Sequence, residues 1–262
     1  MWLLGTRCAN LVLFPRAEDV PRGYAILSHT WSAEEDTFQK IQALNKKFDQ
    51  TPSLQDHDLP RTREELNEVR SFLELAEKAG FEYAWVDTCC IDKTSSAELS
   101  EAINSMFQYY ALSSACYVYL DDVNTDGIAL TGPSPAPYPL WTRWHSRGWT
   151  LQELIASRVV VFFSSQWTPI GTKFELADIL ESATRIPSSV LRFQTSITDV
   201  SIAARMSWAS TRETTRREDI AYCLFGIFGV NMPTLYGEGD NAFSRLLEAI
   251  MKTSRDASIF LW

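Results

Sequence analysis

Four six-residue apolar runs constrain this chain most. They are YAILSH at 24–29, YAWVDT at 83–88, ACYVYL at 115–120 and RVVVFF at 158–163. Short runs rich in β-branched and aromatic residues, bounded by turn formers, read as core strands. Helical spacing fills the gaps between them. Phe38, Ile41, Leu44 and Phe48 mark a helix over 37–48. Leu66, Val69, Leu73 and Ala76 make the stripe of an amphipathic helix over 62–79, with Gly80 as its stop. Ser95 or Ser96 caps a third helix, with Glu98 or Glu101 close behind and Leu99, Ile103, Met106, Phe107 and Tyr110 on its buried face. Strand and helix alternate from 24 to 163, the pattern of a mainly parallel sheet flanked by helices.

The flanks differ. Residues 1–23 read as a strand-like arm. After Ser164 the stretches 174–184, 202–211, 218–228 and 240–253 all read as helices. The division expected is an α/β domain over 1–165 and a helical extension over 166–262 packed on it, closed by a short strand at 258–262. Polar, proline-bearing loops are expected at 50–60 and at 124–140, the second of them beside the strand ends where a ligand would sit.

Composition excludes several functions. The net charge of −9, without a Lys/Arg block, gives little to neutralise a phosphate backbone, so no nucleic-acid partner is expected. The absence of an apolar run of ~18 residues argues against a membrane span. The N-terminus lacks the basic start and cleavage site of a signal peptide. An odd count of 5 cysteines, none in a C-x-x-C, fits reduced thiols and a cytoplasmic protein. The 3 scattered histidines offer no metal-ligand spacing, and no metal is expected.

The stretch RWHSRGWTLQEL, 143–154, carries the chemistry. Placed on one helix, Leu151, Leu154 and Ile155 face the core, and Trp149 and Glu153, four apart, share the opposite side. That side is either a solvated face or the wall of a pocket. Other polar groups stand at strand ends, where open parallel sheets bind ligands. They are Ser28, His29 and Trp31 after the first run, and Asp87, Asp92 and Lys93 after the second. Each has a blander reading: Asp87 as a structural hydrogen-bonder, Lys93 as a solvated cation, Cys89 and Cys90 as packing. Ser28 and His29 are strand neighbours and point to opposite faces, which argues against a direct nucleophile–base pair. Gly237-Glu238-Gly239 reads as a plain turn, with amide donation to an anion as the alternative.

YAILSHTW, AWVDTCCIDKTSSAELSEAINSMFQYY, ACYVYLDDV and RGWTLQEL together resemble the successive motifs of the fungal HET (heterokaryon incompatibility) domain, over about 24–165. The later segments TTRREDIAYCLFGIFGVNMPTLYGEG and SIFLW resemble what commonly follows that domain. Ser32 stands where the family usually has Gly. The resemblance implies a cytosolic effector of programmed cell death triggered by nonself recognition. It implies a homo-oligomer when active, with an upstream nucleotide-binding or repeat sensor. HET domains are regarded as relatives of the TIR domain, which implies a flavodoxin-like sheet. The stretch from Ser146 to Leu154 resembles the TIR motif S-x-W-C-x-x-E-L with one residue of slack, Thr150 standing for the Cys and Glu153 for the NAD-cleaving glutamate.

What this implies is an NAD(P) glycohydrolase with NAD(P) as substrate and no cofactor. Nicotinamide is cationic at its glycosidic nitrogen and leaves neutral, so one ionised carboxylate suffices where ordinary glycosidases use two. In this reading Glu153 is catalytic. Ser28, His29, Trp31, Asp87, Asp92, Lys93, Arg147 and Trp149 line the substrate site, Trp149 or Trp31 stacking on a ring and Arg147 or Lys93 meeting the pyrophosphate. The alternatives are a TIR-like self-association module without chemistry, and a cysteine hydrolase using Cys89 with His29 or His145.

Overall fold

The computed structural model describes residues 1–32, 34–49, 61–124 and 142–261. Its centre is a seven-stranded mixed sheet. In chain order the strands are β1 (Trp2–Gly5), β2 (Leu11–Leu13), β3 (Ala25–Ser28), β4 (Tyr83–Trp85), β5 (Ala115–Tyr119), β6 (Val160–Phe163) and β7 (Pro169–Thr172). They lie in the spatial order β2-β1-β4-β3-β5-β6-β7. The four expected runs supply the parallel centre: β3 pairs with β4 and β5, and β5 with β6, all parallel. The arm at 1–23 adds an antiparallel hairpin on one edge, β1 to β2 and β1 to β4.

Taken in chain order, the four parallel strands lie 2-1-3-4. That is the flavodoxin-like order, whose reversal falls at β3. A crevice therefore opens at the carboxyl end of β3, where its flanking connections leave in opposite directions. β3 is buried on both faces, and even Ser28 is 0% exposed. A hydroxyl so placed must find its partners inside the protein.

Helices α1 (Phe38–Asp49), α2 (Arg61–Glu64), α3 (Glu68–Lys78) and α4 (Ser96–Leu112) link these strands. The helix expected over 62–79 is two pieces. Asp36 causes the interruption: its Oδ2 accepts the Asn67 backbone N–H at 2.9 Å and captures the chain just before α3. Gly80, at φ +89°, ends α3 in the left-handed region. Ser95 caps α4, accepting the Glu98 N–H at 3.3 Å, and α4 buries Ile103, Met106 and Tyr110. The second run is strand only to Trp85, so Asp87 stands in a turn.

After β5 come α5 (Arg143–Ser146) and α6 (Thr150–Ala156), which pack together beside α4. The buried ammonium of Lys173 donates to Leu154 O at 2.9 Å and to Ser157 O, closing the C-terminal end of α6. The remainder is mostly helical: α7 (Ala177–Thr184), α8 (Ser188–Leu191), α9 (Ile202–Ser207), α10 (Asp219–Tyr222), α11 (Phe225–Phe228) and α12 (Asn241–Thr253). Two features there differ from expectation. β7 extends the sheet past residue 165, antiparallel to β6; its Pro and Gly hide it from pattern reading. Residues 257–261 form a 3-10 turn rather than a strand. Asp256 shapes that turn, accepting the N–H groups of Ser258 at 2.9 Å and Ile202 at 2.7 Å. The expected loop at 50–60, and that at 124–140 from residue 125 on, lie outside the described residues.

Candidate active site

The single helix expected over 143–154 is broken, and the break builds the site. After α5 the chain runs extended, and the 213–215 segment docks beside it. Gly148 N donates to Glu213 O at 2.9 Å and Glu213 N to Ser146 O at 2.7 Å. Gly148 is required there, since a Cβ would stand 2.6 Å from Thr214 Cγ2 and 3.2 Å from Cys223 Sγ. Restarting at Thr150 turns α6 inward, and all of its residues are buried. Glu153 and Trp149 line the same cavity, the pocket wall of the two alternatives, and Glu153 is only 8% exposed. Trp149, half-buried, precedes the first turn of α6.

Ser28 is the link between β3 and Glu153. Its hydroxyl accepts the Trp144 indole N–H at 2.7 Å and donates to the Glu153 carboxylate. Tyr110, from α4, lies beside the same carboxylate and donates to Leu27 O at 2.9 Å. Among the described residues Glu153 has no salt bridge. Burial pushes its pKa up to about 7; repulsion from Asp87 adds to the rise, against the Ser28 hydrogen bond and the attraction of His29. A carboxyl group balanced near neutrality in a cleft is the signature of a group that exchanges protons or meets a cation.

His29 follows Ser28 just past the end of β3. Its Nε2 lies 3.3 Å from Glu35 Oε2 and its Nδ1 4.0 Å from Asp87 Oδ1. Burial works to lower its pKa, but the hydrogen bond to Glu35 and the charges of Asp87, Glu35 and Glu153 outweigh it and raise the value. Asp87 also accepts the Trp31 indole N–H at 2.8 Å, and the Lys93 ammonium sits 3.9 Å from the Trp31 ring centroid.

These groups line one cleft that opens to solvent. His29, Trp31, Asp87 and Lys93 come from the strand ends, Leu99, Ile103, Met106 and Tyr110 from α4, and Arg147, Trp149, Thr150 and Glu153 from the broken motif. The wall facing them, Asp219 and Tyr236, belongs to the C-terminal region. Tyr236 donates to Asp219 at 2.9 Å. Arg147 Nη1 donates to Thr215 at 3.1 Å.

Two of the residues expected in the site stand apart from this lining. Ser28 lies behind Glu153, holding it rather than facing the cavity. Asp92 turns away to cap its own loop, accepting from Thr94 Oγ1 at 2.6 Å, Thr94 N at 3.0 Å and Gln39 at 2.7 Å. The anion at Gly237 and Gly239 is the chain's own: both amides donate to Glu218 Oε1, at 2.8 and 3.0 Å. Pattern reading missed Glu35, Tyr110, Asp219 and Tyr236. The signal for Asp219 was only an acidic residue opening an apolar helical stretch.

The thiol arrangement does not support nucleophilic catalysis. Cys89 is 0% exposed and donates to Asp36 O at 3.1 Å; burial, then the neighbouring Cys90, pushes its thiol well above the usual value. His145 is buried against Thr142 at 2.9 Å in a capping box, and burial, then Arg212, pushes it down to about 3. No helix among the described residues is long and apolar enough to cross a membrane.

Fold and site thus define an α/β protein whose cleft, at the carboxyl ends of parallel strands, is lined by the buried carboxyl groups of Glu153 and Asp219. The family model "Heterokaryon incompatibility protein (HET)" matches residues 24–137, and the chain belongs to the HET-domain proteins. It is 42% identical over 246 residues to vegetative incompatibility protein HET-E-1 of Podospora anserina; the match covers 90% of this chain and 17% of that protein's length. No solved structure matches the chain. The family match ends before Arg147, so Trp149, Glu153, Asp219 and Tyr236 all lie beyond it.

Proposed function

We propose that this chain is the effector part of a heterokaryon incompatibility system and acts by hydrolysing the N-glycosidic bond of NAD(P), releasing nicotinamide. The observation that carries this reading is Glu153: a buried carboxyl group with no salt bridge among the described residues, facing a cavity walled by aromatic rings and flanked by Lys93 and Arg147. The leaving group departs as a neutral base, so the step needs no acid. Positive charge grows on the ribose as the bond breaks. A carboxylate already desolvated and fixed by Ser28 stabilises that charge more strongly than one in water, and with no reorganisation.

With a pKa near 7, Glu153 is about half ionised at neutral pH. Binding of the cationic nicotinamide ring favours the ionised form. The same carboxylate then takes a proton from the water that adds to the ribose. Trp31 or Trp149 stacks on a cationic ring for about 0.5–2 kcal/mol. Lys93 leaves the Trp31 face to meet the pyrophosphate. In a longer protein, a nucleotide-binding or repeat sensor brings copies of this domain together in the cytoplasm, and the TIR-like relationship implies that the assembled form is the active one.

The test is nicotinamide release from NAD, measured on protein held at high concentration or on a multivalent scaffold. Wild type should release nicotinamide and Glu153→Gln should not, with unchanged circular dichroism. Equal release by both would remove Glu153 from the mechanism. No release by clustered, folded wild type would leave a self-association module.

A further inference from the structure

We infer that Trp144 is a positioning residue for Glu153: acting through Ser28, it holds one carboxyl oxygen inward and leaves the other, Oε1, to face the substrate and carry the proton. The inference rests on the reading of Glu153 as the reacting group.

The number of hydrogens available fixes the arrangement. Trp144 and Ser28 are fully buried and Glu153 nearly so, and their polar groups must find partners inside the protein. An indole N–H can only donate. That of Trp144 lies 2.7 Å from Ser28 Oγ and occupies one of its lone pairs. The hydroxyl has one hydrogen, and Glu153 Oε2 receives it. Oε2 is therefore an acceptor whether the carboxyl group is ionised or not, and a proton on Glu153 belongs on Oε1. The neighbouring Tyr110 hydroxyl gives its own hydrogen to Leu27 O at 2.9 Å, so toward the carboxyl group it offers an acceptor. Glu153 lines the cavity, whereas Trp144 and Ser28 stand behind it.

Trp144 is held by the elements it joins. Its ring meets Phe162 of β6 edge to face at 5.7 Å, and its carbonyl accepts the Thr150 hydroxyl of α6 at 2.5 Å. One residue thus sets both the hydroxyl at the end of β3 and the start of the helix that carries the acid. In hydrolysis the oxygen of water bonds to the ribose and its proton passes to Oε1, on the substrate side.

The experiment follows the Glu153 carboxyl carbon of the full chain by carbon-13 NMR across pH, its resonance being the one missing from Glu153→Gln. The charged groups around it are kept in every variant: His29, Asp87 and Lys93 from the strand ends, Arg147 before α6, and Asp219 and Arg212 from the C-terminal region. So are Tyr110 of α4 and Cys116 of β5. Trp144→Phe keeps an aromatic ring and removes the N–H. The Ser28 hydroxyl is then free to accept from a neutral Glu153 and is a weaker donor, so the midpoint should rise by about half a pH unit or more. Ser28→Ala should raise it by about one unit. Phe162→Leu, which loosens the Trp144 ring without touching its N–H, should leave the midpoint in place. An unchanged midpoint in Trp144→Phe, or an equal rise in Phe162→Leu, would overturn the inference. Should Trp144→Phe fail to fold, wild type decides: its Trp144 indole N–H resonance should titrate with the Glu153 midpoint and stay flat in Glu153→Gln, and a flat wild-type resonance would overturn the inference. These midpoints need no turnover, so they decide how Glu153 is aimed even where nicotinamide release is not found, and absent release sinks the hydrolysis reading alone.

Discussion

Replacing Glu153 with Gln should stabilise the protein, and only above acidic pH. In the unfolded chain this carboxyl group titrates near 4.5, whereas in the fold burial holds it at about 7. At pH 4 it is largely protonated in both states and contributes no difference. As pH rises from 4.5 to 7 the unfolded chain gives up the proton while the folded one keeps it, so stability falls. Above 7 both are ionised and the penalty is constant. At about 1.4 kcal/mol per pKa unit it amounts to about 3 kcal/mol. Gln is neutral at every pH and keeps an oxygen for the Ser28 hydroxyl to donate to. Its amide N–H can reach the Tyr110 oxygen. The difference between variant and wild type should therefore grow by about 3 kcal/mol between pH 4 and pH 8.5. For a chain of this size that is roughly 6–12 °C in melting temperature. Thermal unfolding by circular dichroism at the two pH values reads it directly. A pH-independent difference, or a variant less stable at pH 8.5, would refute a buried carboxyl group with a raised pKa at this position.

Further consequences follow from the same geometry. Gly148→Ala should destabilise the protein by about 1–3 kcal/mol, from the contact its Cβ makes with Thr214 Cγ2 at 2.6 Å; removing that methyl with Thr214→Ser should restore part of the loss in urea titrations. Glu35→Gln should lower the His29 pKa, because it removes the partner that does most to raise it, a change visible as an acid shift in the histidine NMR titration. Native protein treated with N-ethylmaleimide should gain adducts at Cys8 alone by mass spectrometry, since the other four cysteines are buried; adducts at Cys89 without unfolding would reopen a thiol mechanism.

The sheet was legible because both-face burial forces continuous apolar runs, and the four runs are the four parallel strands. Helix 62–79 misled because its stripe continues through residues 65–67, while the residue that breaks it, Asp36, acts from another part of the chain. The same kind of interaction hid the site's construction. Trp149 and Glu153 have helical spacing, but Glu213 pairing beside Gly148 ends one helix and starts another, turning the acid inward. Such a contact joins residues 65 apart and leaves no local periodicity. His29, Trp31, Asp87 and Lys93, all in the cavity lining, could be brought together on paper because strand ends in open parallel sheets gather polar groups. Asp219 and Tyr236 reach the cavity through the packing of α10 against α12, which no spacing rule announces.

The central claim is that the cleft over Glu153 receives a dinucleotide. Its most direct measurement is a crystal of the Glu153→Gln protein soaked with NAD. Electron density is expected in the cavity, with a ribose against residue 153 and the nicotinamide ring on Trp31 or Trp149. An empty cleft at saturating NAD, or density on a different face of the molecule, would contradict it.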